Sequence, residues 1–121
     1  MQGNTEIKLT YTLTANGSAL MEEFQPEGMI TMFTVDGNHL IATHYCAAGN
    51  QPQMVTQRVT EPLAKNLTFS LSRVTGLKTP ADWHNTGLTI TMEDEQHLTQ
   101  LWTYEYKGEK GTNVFHFTRT R

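Results

Sequence analysis

Residues 5–24 read TEIKLTYTLTANGSALMEEF, and this stretch decides the fold. Up to Thr14 apolar residues alternate with polar ones, which is the pattern of a strand with one buried face. Asn16-Gly17 follows and favours a type I′ hairpin turn, because both residues tolerate a positive φ. The predicted pairs across this turn are Leu13 with Leu20, Tyr11 with Glu22, and Leu9 with Phe24. The stretch therefore predicts a β-hairpin with one carboxylate, Glu22, on its inner face.

The remaining chain repeats this pattern of short strands and tight turns. Further strands are predicted at 29–35, 39–45, 54–60, 66–72, 87–93, 97–106 and 112–120, which makes about nine in all. Residues 79–84 carry at most one short helical turn, begun by Thr79 and Pro80. Sequential antiparallel strands predict a single all-β domain over residues 1–121, either an up-and-down β-barrel or a strongly bent meander. A two-sheet sandwich is the alternative, but its crossovers need longer connections.

The alternation also predicts which side chains face inward. The predicted inner set is Val55, Gln57, Val59, Leu67, Phe69, Leu71, Leu88, Ile90, Met92, Leu98, Gln100, Trp102, Tyr104, Tyr106, Phe115 and Phe117. A three-residue loop at 94–96 places Met92 opposite Leu98 and Ile90 opposite Gln100. Both faces of strand 39–45 are mixed, so the pattern does not decide which way His44 points.

Composition excludes several classes of partner. The net charge is −3 and the basic residues are scattered, whereas nucleic-acid binding needs clustered Lys and Arg. No apolar run approaches the roughly 20 residues of a membrane span. A single cysteine cannot form an internal disulfide, so a reducing compartment, the cytoplasm, is expected unless a leader preceded Met1.

A family resemblance extends over nearly the whole chain. The segments that carry it are LTY at 9–11, GSALME at 17–22, MITMF at 29–33, Asp36-Gly37, Leu40, THYCAAGNQP at 43–52, Trp102-Thr103 and VFHFTR at 114–119. Together they resemble the uncharacterised bacterial proteins of the calycin-like (lipocalin-like) β-barrel type, most specifically at 44–52. The resemblance implies a barrel with an internal cavity and no particular reaction.

The sequence departs from that family at its beginning. Members begin with a helix and a first strand bearing a Trp-x-Gly-like motif, and this chain has neither, although Gln2-Gly3 is a candidate remnant. The barrel is therefore expected to be incompletely closed at the N-terminal edge, with the gap open, plugged by a loop or filled by a second copy. The exposed edge strand predicts a homodimer formed by strand addition.

Several polar side chains fall on predicted inner faces: Glu22, Gln57, Gln100 and the hydroxyls of Tyr11 and Tyr104. Buried polar groups must be hydrogen-bonded or each costs about 1–3 kcal/mol. One interpretation is an internal hydrogen-bond network. The other is the polar floor of an apolar cavity, the usual form of a small-molecule site.

Histidine and cysteine offer a second set of candidates. His44, Cys46, His84 and His116 carry metal-ligating atoms, but no local ligand spacing is present. No cofactor is predicted, and haem held by one histidine stays an alternative. Cys46 lies two residues from His44, about 7 Å along a strand, so it is expected to be a small buried thiol rather than an activated nucleophile.

The turn after strand 39–45 holds two side-chain amides, Asn50 and Gln51. Gly49, Asn50 and Pro52 have a structural reason to occur there, because they suit a turn. The functional alternative is that the two amides line a barrel mouth and bind the polar end of a ligand. Trp83-His84, in the irregular segment 74–86, would form a lid over a mouth.

These observations favour a small β-barrel that binds a hydrophobic or amphipathic small molecule in an internal cavity. The cavity walls are predicted to be Trp102, Tyr104, Phe115, Met92 and Phe24, with Glu22, His44, Gln100 and His84 orienting the ligand. One alternative is an enzyme, an isomerase or hydrolase with His44 or Glu22 as general base. The other is a structural or interaction domain with a filled core.

Overall fold

The computed structural model describes residues 7–60 and 65–120, and these form nine β-strands. They are β1 (Lys8–Thr14), β2 (Ala19–Gln25), β3 (Met29–Asp36), β4 (His39–Tyr45), β5 (Gln51–Thr56), β6 (Asn66–Thr75), β7 (His84–Met92), β8 (His97–Tyr106) and β9 (Glu109–Thr118). All pair antiparallel in one sheet whose spatial order is the sequence order, and the sheet curls into a half-barrel. The predicted all-β meander is confirmed.

The predicted hairpin is confirmed in its register. Leu9 lies opposite Phe24, Tyr11 opposite Glu22, and Leu13 opposite Leu20. At the turn, the Ser18 amide donates to the Ala15 carbonyl at 3.1 Å, and Asn16 and Gly17 have φ values of 57° and 80°. The turn chemistry of Asn-Gly therefore sets which side chains of β1 and β2 face inward.

The predicted register of the β7–β8 hairpin is confirmed as well. Met92 lies opposite Leu98 and Ile90 opposite Gln100. Opposite residues in an antiparallel pair point to the same face, so Ile90 and Gln100 both turn toward the interior, where they are buried.

The fifth strand, predicted at 54–60, begins three residues earlier and ends four residues earlier, since β5 runs from Gln51 to Thr56. The 46–50 turn closes when the Cys46 amide donates to the Asn50 carbonyl at 3.1 Å, so β5 begins at Gln51. Pro52, Met54 and Thr56 are buried as a result, and Gln57 is exposed beyond the strand. The prediction that Gln57 faces inward is wrong, because β5 ends at Thr56 and buries its even-numbered residues rather than its odd-numbered ones.

Two predicted inner residues lie beyond the core. Met92 is 41% exposed and Tyr106 is 46% exposed, since each is the last residue of its strand.

At 79–82 the structure has a β-turn, with the Asp82 amide donating to the Thr79 carbonyl. The Asp82 carboxylate accepts from the backbone amides of Lys78 and Thr79, which holds the pKa of Asp82 below its usual range.

The core lies on the concave face of the sheet. It consists of Ala42, Met54, Phe69, Leu88, Ile90 and Trp102, with Phe33, Leu40, Leu67, Leu71, Leu98 and Phe115 packed against it. Phe24 on β2 meets Phe115 on β9 edge to face, with ring centroids 5.4 Å apart, so the two ends of the sheet approach each other across the interior. Over the described residues, no helix is long and apolar enough to cross a membrane.

Candidate functional site

A buried polar network connects β1, β2 and β8 at the centre of the half-barrel. Glu22 is 1% exposed and Gln100 is fully buried. The Tyr11 hydroxyl and the Gln100 amide Nε2 each donate to Glu22 Oε2 at 2.7 Å. Trp102 Nε1 donates to Gln100 Oε1 at 2.9 Å. The interpretation of the inner polar residues as a hydrogen-bond network therefore holds for Tyr11, Glu22 and Gln100, and Trp102 joins them.

Burial governs the protonation of this network. It raises the pKa of Glu22, because a carboxylate loses its hydration there, while hydrogen bonds from Tyr11, Gln100 and Thr31 oppose the rise. Burial and the neighbouring Glu22 charge raise the pKa of the Tyr11 hydroxyl, so it remains a donor. Over the described residues, the one salt bridge joins His97 to Asp94, and Glu22 has no cationic partner.

His44 faces the interior, which the sequence pattern left open. Its Nδ1 lies 2.7 Å from the Thr31 hydroxyl, and its ring centroid is 4.7 Å from that of Trp102. Burial lowers the pKa of His44 to about 4, because the charged imidazolium is disfavoured in this environment. His44 is therefore neutral at pH 7.

An apolar pocket of about 440 Å³ opens at one end of the half-barrel. Its wall is formed by Tyr11, Leu13, Gly17, Ser18, Ala19, Leu20, Phe33, Thr34, Val35, Leu40, Leu67, Phe69, Ile90, Met92 and Leu98. The rim is exposed, since Leu13 and Val35 are 68% and 69% accessible to solvent. Tyr11 belongs both to this wall and to the polar network, so the network lies directly behind the pocket.

The predicted site residues are divided between two places. Glu22, His44, Gln100 and Trp102 come together in the interior, but none of them is part of the pocket wall. Of the predicted wall residues, Met92 lines the pocket, whereas Phe24, Trp102, Tyr104 and Phe115 lie outside it. The pocket opens where the β1–β2 and β3–β4 turns lie, at the end opposite the 46–50 turn.

The 46–50 turn is held to the β6–β7 connection. Asn50 is 2% exposed, and its Nδ2 donates to the Trp83 carbonyl at 2.8 Å, while its buried Oδ1 has no partner. Gln51 accepts from the Thr75 hydroxyl at 2.8 Å. The structural interpretation of both amides is thus supported, and a role in ligand binding stays a prediction.

Trp83 and His84 are anchored rather than projecting. Trp83 stacks on Tyr104 with centroids 5.2 Å apart, and His84 is buried with its Nδ1 2.7 Å from the Asp82 carbonyl. These contacts hold the segment that precedes β7 against β8, and they do not support the predicted lid. Burial raises the pKa of the Cys46 thiol, so Cys46 is a poor nucleophile, as expected from its sequence context.

Tyr104 packs on the backbone of Gly111, its cross-strand neighbour. A Cβ at residue 111 would lie inside van der Waals contact of the Tyr104 ring. Gly111→Ala is therefore expected to lower the free energy of unfolding by about 1–3 kcal/mol, because the ring must leave its stack on Trp83. Urea denaturation measures the change. In a Tyr104→Ala background the same substitution is expected to cost under about 0.5 kcal/mol, and an equal cost in both backgrounds would contradict this account.

Sequence reasoning missed most of the pocket wall. Leu20, Phe33, Leu40, Leu67 and Leu98 were placed on strands but not in one cavity. The available signal was positional, because all five lie near strand ends on the side of the sheet where the β1–β2 and β3–β4 turns lie. Across residues 7–60 and 65–120, no group of three His, Cys, Asp or Glu side chains converges as a metal site.

The protein is an open antiparallel β-meander with an apolar pocket at one end. No family model, no curated protein and no solved structure matches this chain.

Proposed function

We propose that this protein binds a hydrophobic or amphipathic small molecule in the apolar pocket. The observation that carries the proposal is a cavity of about 440 Å³ whose wall is almost wholly aliphatic and aromatic. That volume falls within the range of about 300–1,000 Å³ that is usual for ligand pockets. The apolar side chains at the rim are exposed to solvent. A bound ligand would bury them, and that burial would stabilise the complex.

The pocket favours a ligand whose apolar part lies inside and whose polar end lies at the rim. At its inner end Phe33 and Phe69 pack together with centroids 5.8 Å apart, and the Tyr11 hydroxyl is already committed to Glu22. A charged group placed there would lose its hydration without gaining a partner. The volume equals that of about 15 water molecules, which suits an apolar body of on the order of 15 non-hydrogen atoms.

The chain offers a matched pair of variants for the test. Val35 lines the pocket at 69% exposure, and Val114 on β9 is 49% exposed and lies outside it. Val35→Asp is expected to weaken binding of decanol about tenfold or more, because the short carboxylate desolvates on binding. Val114→Asp is expected to leave the dissociation constant unchanged. Isothermal titration calorimetry with decanol, decylamine and decanoate gives the constants and compares the three end groups.

A second readout is the melting temperature, which rises with any ligand that binds only the folded state. No shift with any of the three alkyl probes at millimolar concentration would contradict the proposal. Equal losses in both Asp variants would also contradict it, since binding would then lie outside the pocket.

The enzyme alternative receives no comparable support from the geometry. His44 and Glu22 lie behind the pocket wall, and the lowered pKa of His44 makes it a weak base near pH 7. A relationship to calycin-like barrels remains a proposal that rests on the sequence resemblance, and the sequential meander is consistent with it.

A further inference from the structure

Strand β1 forms one edge of the sheet. Within the described chain it pairs with β2 alone, so one side of its backbone carries unpaired N–H and C=O groups. Six of its seven residues are exposed, including Tyr11 at 41% and Leu13 at 68%. An exposed edge with large apolar side chains is a template for pairing with another strand.

The sequence of β1 is symmetric about Tyr11. Residues 9–13 read LTYTL, the same in both directions. An antiparallel pair of identical strands related by a two-fold axis through Tyr11 would place Leu9 opposite Leu13, Thr10 opposite Thr12 and Tyr11 opposite itself. All three are favourable cross-strand pairs. Lys8, the single charged residue of the strand, would lie opposite Thr14 and meet no like charge.

We infer that two copies of this chain associate through β1, antiparallel and in the register centred on Tyr11. The partner is a second copy because the strand is complementary to itself in that register. Two half-barrels then share one continuous sheet across the two-fold axis. This inference does not depend on ligand binding.

The association would also extend the pocket wall. Tyr11 and Leu13 line the pocket, and opposite residues of an antiparallel pair point to the same face. Leu9 of the second copy would therefore lie beside Leu13 at the exposed rim. The two pockets would lie on the same side of the shared sheet.

The register can be tested with charges at two exposed positions. Within the chain Thr10 lies opposite Glu23 and Thr12 lies opposite Met21. A lysine at residue 10 would therefore face a glutamate of its own β1–β2 hairpin. In Thr10→Lys/Thr12→Lys each lysine meets a lysine of the other copy, and we expect the dimer dissociation constant to rise about tenfold or more. In Thr10→Lys/Thr12→Glu each lysine meets a glutamate, and we expect dimerisation to return to within about threefold of wild type.

Sedimentation equilibrium between about 1 and 100 μM measures the three constants at low and high salt. The effect of the lysine pair is expected to shrink as ionic strength rises, because these side chains remain exposed. A wild-type monomer at the highest concentration would overturn the inference. So would a dimer that persists unchanged in the double-lysine variant, or a Lys/Glu variant as weak as the double-lysine one.

Discussion

Replacing Gln100 with leucine is expected to lower the free energy of unfolding by about 3–5 kcal/mol. Leucine occupies a similar volume, so the loss is not one of packing. It leaves Trp102 Nε1 without its acceptor and removes the 2.7 Å hydrogen bond to Glu22 Oε2. An unsatisfied buried polar group costs about 1–3 kcal/mol and a charged one costs more.

Urea denaturation followed by far-ultraviolet circular dichroism measures this loss. Gln53→Leu is the matched control, because Gln53 is half-buried and makes only a 3.4 Å bond to the Thr43 hydroxyl. We expect that control to cost under about 1 kcal/mol. A Gln100→Leu variant that is no less stable than Gln53→Leu would show that the network contributes little.

Acidification from pH 6.5 to pH 4 is expected to remove about 3 kcal/mol of stability through His44 alone. Its pKa is lowered from 6.5 to about 4 by burial, so in this window the unfolded chain binds more protons than the folded one. The contribution of the neutral buried imidazole is fully present above pH 6.5 and is lost as the pH falls toward 4. Asp82 and Asp94 titrate lower still, because hydrogen bonds to backbone amides lower the pKa of both.

Glu22 acts in the opposite direction. Its folded pKa lies above 4.5, so the folded state retains a proton there that the unfolded state has lost, and its contribution falls as pH rises. Single variants separate the two groups. His44→Gln is expected to abolish the decline between pH 6.5 and pH 4, and Glu22→Gln to steepen it.

Free energies of unfolding measured at half-unit pH intervals test this assignment. His116→Gln is the control, since His116 is exposed on β9. An acid decline that persists undiminished in His44→Gln would assign the effect to another group.

Much of the local structure could be predicted. Glu22 was placed on the inner face from the Asn16-Gly17 turn, and it is 1% exposed. Gln100 was placed opposite Ile90 from the length of the 94–96 loop, and that pair is observed. The β5 prediction failed because the hydrogen bond from the Cys46 amide to the Asn50 carbonyl ends the turn at Asn50, so the strand begins at Gln51, three residues before the predicted start.

The candidate site could be predicted only in part. Glu22, His44, Gln100 and Trp102 were all selected as candidate ligand contacts, and an internal hydrogen-bond network was the alternative interpretation for Glu22 and Gln100. The pocket wall depends on which strand ends converge, and the chain alternation carries no information on that.

The sequence by itself determined the number and order of the strands, the register of two hairpins and the inner position of Glu22 and Gln100. These properties follow from a side-chain period of two and from turn chemistry, both of which act over a few residues. The tertiary structure decided that Glu22 meets Gln100, 78 residues away, and that His44 contacts Thr31 and Trp102. It also decided that the cavity opens at the end away from the 46–50 turn. Those contacts depend on how far the sheet curls. The curl is the sum of small twists between nine strands, so no single segment of the sequence determines it.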